Sequence, residues 1–259
     1  MRTLAAFLLL ATSVLAQQPT YDVLIRNGRV VDGSGNPWFH ADIGIIGDRI
    51  AFIGRAGENV TAKKTIEAKG LVVAPGFIDM LGQSEISILI DKTAFSKITQ
   101  GITTEITGEG GSIAPMNQRL IDEGKDFTDH YHLTIDWKSL DEYFTRLEKQ
   151  GSAVNIGTYV GATQVRAAVI GNDDRPPTAE ELAQMKEMVN DAMDDGALGL
   201  STSLIYPPAF FAKTEELIEL AKVAAAKGGT YASHMRNEGD REMEEIGRAS
   251  CRERVYGLV

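Results

Sequence analysis

Two periods of apolar and polar positions divide the chain. Residues 21–66 show short alternating runs broken by turn-forming residues, which predicts a small antiparallel sheet. In DVLIRNGRVVDG, Asn27-Gly28 lies between two apolar runs, so a two-residue hairpin turn is expected there. Gly47-Asp48 marks a second tight turn between residues 42–46 and 49–53, and residues 66–68 follow a polar stretch. The stretch 72–85, VVAPGFIDMLGQSE, is apolar and then turns polar within a few residues, as a buried strand does when it delivers side chains to an opening. Beyond it the period lengthens. Helices are expected over 92–100, from Ser139 to Gly151, from Thr178 through the stripe Leu182, Met185, Val189, Ala192 and Met193, and over 214–227. Ser139 with Glu142, and Thr178 with Glu181, have the spacing of capping boxes. Five strands, at 72–80, 102–107, 154–160, 197–203 and 230–234, alternate with these helices, which predicts a parallel α/β fold.

The chain's ends stand apart from this pattern. Residues 1–16 combine Arg2, an apolar run over 4–10 and Val14-Leu15-Ala16 before Gln17, the order of a secretory signal too short to span a membrane. The mature protein is therefore expected to be periplasmic or secreted. From Ile246 the sequence IGRASCRERVYGLV breaks a helical pattern, and its first ten residues resemble the translated read of a sequencing adapter. The 246–259 tail is accordingly expected to be non-native, and Cys251, the only cysteine, carries no redox information. The 259 residues are 43% hydrophobic with a formal charge of −10, which argues against nucleic acid or an anionic membrane surface as a partner.

In folds of this kind, side chains at the C-terminal strand ends converge on the site. Those ends offer Asp79, Leu81 and Gln83, then Glu109, then Thr158 and Thr163, then Ser203 and Tyr206, and last His234, Arg236 and Glu238. A borderline cation would take His234 and a carboxylate. Glu109, with glycine on both sides, is the matching carboxylate. Against this stand a core histidine at a strand end and a solvated glutamate in a loop. The Gly108–Ser112 loop has neither phosphate-loop spacing. His130 and His132 could share one strand face as a metal pair, but their polar, loop-like surroundings favour exposed lid histidines. His40, beside Trp38 and Phe39, is expected to be structural.

Pro75-Gly76-Phe77-Ile78-Asp79 resembles the first barrel strand of the amidohydrolase superfamily, whose metal-dependent members usually continue with His-x-His. Here those positions are Leu81 and Gln83. Residues 198–240 (LGLSTSLIYPPAFFAKTEELIELAKVAAAKGGTYASHMRNEGD) resemble the N-acyl-D-amino-acid deacylase, or D-aminoacylase, group more specifically. So does TQGITTEIT with its Gly-rich turn and Ala114-Pro115. The resemblance implies an α/β fold with a partial TIM barrel: residues 72–245 as its first five βα units, and 21–71 as the N-terminal part of a β-sandwich domain. A complete barrel takes eight strands and about 250 residues. The resemblance further implies one zinc, held by a Cys after the second strand and by His on the fifth and sixth. His234 takes the fifth-strand place, and Glu109 is the available substitute for the Cys. The sixth-strand His and the eighth-strand Asp, the general base, would lie past Glu245, so the fragment itself is expected to be inactive. Tyr206 corresponds to the substrate-contacting Tyr after strand four, and Arg236 meets either a substrate carboxylate or a rim salt bridge. Leu81, Gln83 and the lack of a Lys in 197–203 favour one metal over two. The implied activity is hydrolysis of a non-peptide C–N bond in a small N-acyl amino acid, releasing a D-amino acid and a carboxylate. A cyclic-amide hydrolase of the dihydroorotase or hydantoinase kind, and a non-catalytic amidohydrolase-like binding protein, are the alternatives.

Overall fold

The computed structural model describes residues 20–237 and 239–244. The signal-like segment, the adapter-like tail with Cys251, and Glu238 lie outside them. The chain divides into two compact units at Pro75 and Gly76.

The first unit is a five-stranded mixed sheet made of β1 (Tyr21–Val30), β2 (Phe39–Ile46), β3 (Arg49–Gly54), β4 (Ala62–Glu67) and β5 (Val72–Val73). β2 pairs antiparallel with both β1 and β3, and the Gly47-Asp48 turn joins β2 to β3 as expected. The hairpin expected at Asn27-Gly28 does not form. β1 runs straight through, with a bulge between Ile25 and Gly28. Asn27 takes the left-handed conformation (φ 62°), and its N–H is caught by the Asp42 carboxylate at 2.7 Å, so the local turn signal serves a kink inside one strand. A Cβ at Gly28 would stand 2.6 Å from Val73, which explains why the bulge carries glycine. Val30, Ala41 and Ile43 form the small core of this unit.

The strand expected over 72–80 is in fact two. Val72–Val73 pairs with β1, while β6 (Phe77–Asp79) pairs with β7 (Ile102–Thr107) in the second unit. Pro75 cannot donate a ladder hydrogen bond, and a Cβ on Gly76 would fall 2.1 Å from the Thr103 hydroxyl. The break therefore sits at Pro75-Gly76, moving the domain boundary from 71/72 to 75/76.

The second unit strings parallel strands in sequence order. β6, β7 and β8 (Asn155–Thr158) form one three-stranded sheet; β9 (Val160–Gly161), β10 (Gly199–Ser203) and β11 (Thr230–His234) form another. β8 and β9 are one strand interrupted at Tyr159, so the two sheets share a seam. Between strands lie α1 (Ser87–Ile90), α2 (Phe95–Ile98), α3 (Gln118–Glu123), α4 (Lys125–His130), α5 (Leu140–Gln150), α6 (Ala162–Val169), α7 (Ala179–Asp194) and α8 (Thr214–Ala226). Both capping boxes form, at Ser139/Glu142 and Thr178/Glu181. The helix expected over 92–100 shrinks to four residues, because Ala94 takes a left-handed conformation (φ 43°). His130 ends α4 and His132 sits in a turn at φ 53°, so they share no strand face.

One face of the strands packs on the helices. Val160 and Leu200 meet Val165, Met185, Val189 and Leu220 in a continuous core. Each such side chain contributes about 1.5–3 kcal/mol by leaving water. Among the described residues no helix is long and apolar enough to cross a membrane.

Candidate metal centre

The opposite face of the strands is built from small and polar residues. In β10 and β11, Gly199, Ser201 and Ser203 lie level with Thr230, Ala232 and His234. Residues level with each other in a parallel ladder point to the same side, so Ser203 and His234 share a face at the strand ends. The turn after β7 brings Glu109 there: His234 Nδ1 and Glu109 Oε1 are 3.1 Å apart, across 125 residues of chain. Both side chains keep access to water, at 21% and 23% relative exposure. They open on a cavity of about 180 Å³ whose other walls are Met80, Leu81, Ile106, Thr107, Tyr159, Ser201, Ala232 and Ser233.

Glycine makes this turn possible. Gly108 and Gly110 have φ of 87° and 70°, and a Cβ on Gly110 would lie 2.2 Å from the Ser203 Cβ. Gly161 must also lack a side chain, since its Cβ would stand 2.1 Å from the Gly110 carbonyl. The Gly108 N–H donates to the carboxylate of Glu85 at 2.9 Å, and Gly110 O accepts from Thr163 N–H at 2.9 Å. Burial pushes the Glu85 carboxyl up, and the nearby Glu105 adds to that after opposing hydrogen bonds.

An imidazole and a carboxylate suit a borderline cation such as zinc. Two donors at zinc's usual bond lengths and a tetrahedral angle lie roughly 3.3 Å apart, close to the separation here. The same separation lets the pair hydrogen-bond, with the tautomer of His234 deciding which atom donates. Among the described residues no three His, Cys, Asp or Glu side chains gather as a metal cluster, so a cation at this pair would need donors beyond the two.

The other strand-end residues have different surroundings. Tyr206 lies edge-on to the His234 ring, with centroids 5.6 Å apart, and is itself more than half exposed. Arg236 donates to the carbonyls of Phe210 and Ala212 at 3.0 and 2.6 Å, tying the end of β11 to the turn that follows Tyr206. Asp79 does not line the cavity. It bonds Lys97 Nζ at 2.7 Å, and Lys97 continues to the fully buried Glu105 at 2.6 Å. The Lys97 hydrogen bond, with help from Leu81 N–H, holds the Asp79 carboxyl below the usual range. Leu81 walls the cavity, and Gln83 is exposed. Thr158 spends its hydroxyl on the Tyr159 carbonyl. His40 packs edge-on to Trp38 in the first unit. Ser201 and Glu85 were invisible to motif reading, because one serine among the hydroxyl residues of β10 and a lone glutamate carry no spacing signal. The register of β10 against β11 is what would have singled out Ser201.

No family profile matches the chain. The D-aminoacylase of Alcaligenes xylosoxydans xylosoxydans is 39% identical over 228 residues, covering 85% of this chain and 45% of that enzyme. Among solved structures, the N-acyl-D-glutamate deacylase of Bordetella bronchiseptica, complexed with zinc and a phosphonate inhibitor, superposes with a TM-score of 0.82 at 32% identity. It covers 92% of this chain and 50% of that one. A D-aminoacylase studied for its binuclear metal centre, with one-metal activation and second-metal attenuation, gives 0.81 at 34% identity, over 90% and 49%. Close homologues of this chain are thus D-aminoacylase and the N-acyl-D-glutamate and N-acyl-D-aspartate deacylases. The chain spans about half the length of the relatives it matches.

Proposed function

We propose that the protein is a metal-dependent hydrolase of the C–N bond in N-acyl-D-amino acids, releasing a D-amino acid and a carboxylate. The observation that carries this is the meeting of Glu109, after β7, with His234, at the end of β11, in a chain whose homologues are deacylases. The architecture fits. Parallel strands taken in sequence order, with helices on one face and the site at their C-terminal ends, are what the opening five units of a TIM barrel would be.

In this reading His234 and Glu109 hold one activating metal. When bound, it would polarise the amide carbonyl and acidify a water. Leu81 cannot bind metal and Gln83 is a poor zinc ligand, which supports a single ion in place of the two that a binuclear site uses. Tyr206, edge-on to the imidazole, would meet substrate and limit the sideways motion of the ring. The contacts of Arg236 support a role in holding the Tyr206 turn in preference to a carboxylate contact. Further ligands and the general base are assigned to the remainder of a full-length protein. The signal-like segment 1–16 supports export, which N-terminal sequencing of the mature protein checks.

The test is an assay of the full-length protein on N-acetyl-D-amino acids with zinc, alongside metal analysis. Release of the D-amino acid with about one zinc per chain is expected. Hydrolysis of cyclic amides instead would favour a hydantoinase-like enzyme. Metal-free protein that binds N-acyl amino acids without turnover would mark a binding protein and overturn the proposal.

A further inference from the structure

We propose that Ser201 is a positioning residue that sets Glu109 against His234. The inference rests on the metal-centre reading above and adds to it the group that holds the geometry. Ser201 is 1% exposed. Its Oγ accepts from the Gly110 N–H at 2.9 Å and donates to the Gly108 carbonyl. A serine hydroxyl has one proton to give and lone pairs to receive, and here both capacities go to the residues flanking Glu109. The backbone on either side of the carboxylate-bearing residue is thus fastened to one atom.

That atom sits on a rigid element. Ser201 is level with Ala232, two positions before Ser203 meets His234, so one strand pair carries both the clamp and the imidazole. The distance between Glu109 and His234 is therefore set through β10 and not through the loop's own stiffness. Glycine at 110 lets the loop come close enough for the bonds to form, and Thr163 N–H fixes its other side at Gly110 O. Ser112 supplies a contrast on the same loop. It is also buried and also bonds backbone, accepting from Gly161 N–H at 3.0 Å and donating to Ala114 O, yet it does not bracket Glu109.

The experiment compares Ser201→Ala, Ser112→Ala and Glu109→Gln in the full-length protein. It reads cobalt(II) affinity by absorption titration and hydrogen–deuterium exchange across residues 108–112. Ser201→Ala is expected to speed exchange at that segment and weaken cobalt binding about 10–100-fold, the usual effect of removing an outer hydrogen-bond partner of a metal ligand. Ser112→Ala should hold cobalt within about twofold of wild type despite a comparable loss of thermal stability. If Ser201→Ala does not fold, Ser201→Cys, similar in volume and a weaker donor, should give an intermediate loss. Unchanged exchange in the Ser201 variant, or equal cobalt losses in both serine variants, would overturn the inference. Should Glu109→Gln bind cobalt like wild type, the ligand assignment fails instead, and exchange alone still decides whether Ser201 clamps the loop.

Discussion

Arg166 and Glu216 meet at 2.6 Å with side chains 1% and 3% exposed, whereas His234 and Glu109 meet at 3.1 Å with about a fifth of each side chain open to water. Both pairs join distant parts of the second unit. The first is surrounded on every side: Arg166 also donates to the carbonyls of Asp173 and Arg175, fixing the turn before α7. Burial pushes the Glu216 carboxyl up, against the pull of Arg166. Such a pair is committed to structure, since losing one member strands the other in a medium that cannot solvate it. The second pair has room beside it, a cavity at its face and a loop that presents one member without enclosing it. Proximity of a basic and an acidic side chain says little about role; what remains open around them says more.

Four substitutions sharpen that contrast. Arg166→Met should cost about 3–5 kcal/mol, because Glu216 is left buried and unpaired. Denaturant unfolding measures it, and a loss under 1 kcal/mol would mean that the pair is more solvated than the structure shows. Gly110→Ala should cost about 2–3 kcal/mol, from a left-handed backbone and contact with Ser203. Unlike the Arg166 change, it should also weaken metal binding, by displacing Glu109. His234→Gln is expected to change stability by no more than about 1 kcal/mol, as for other partly exposed pairs. It should nonetheless reduce zinc or cobalt affinity more than about tenfold, and an affinity equal to wild type would remove His234 from the site.

Glu85→Gln should have the smallest effect, and that effect should depend on pH. A carboxyl whose folded value is raised above its ordinary 4.5 favours folding while protonated, and that contribution is lost as pH climbs through the folded value. Wild type should therefore lose stability relative to Glu85→Gln on going from about pH 4 to 8, while the amide oxygen keeps the Gly108 N–H bond. A pH-independent difference between the two would show that Glu85 is not desolvated.

Strand and helix periods were legible where one face is apolar and the other polar. Residues 102–107 and 230–234 were expected as strands with the observed bounds, and both capping boxes formed. Errors fell where a local signal had two structural uses. Asn27-Gly28 can turn a chain or bulge it, and Asp42, fifteen residues away, decides for the bulge. Pro75 can end one strand while Gly76 starts another, which an unbroken apolar run conceals. α6 was missed because it follows β9 without an intervening turn signal. His234 and Glu109 could be picked out as candidates because strand ends are predictable from the alternation. Their separation could not, because it depends on Ser201, a residue whose type gives no hint of its two bonds.

In the proposed metal centre, the loop after β7 would act as a socket for interchangeable ligands. Its frame is fixed through the backbone of Gly108 and Gly110, so the side chain at 109 can be exchanged without redesigning the turn. Thiolate in place of carboxylate would move the preference toward softer ions, and a shorter carboxylate would enlarge the space for a harder one. If the proposed centre holds, metal choice would be adjustable at a single codon, with the surrounding glycines and Ser201 left as they are.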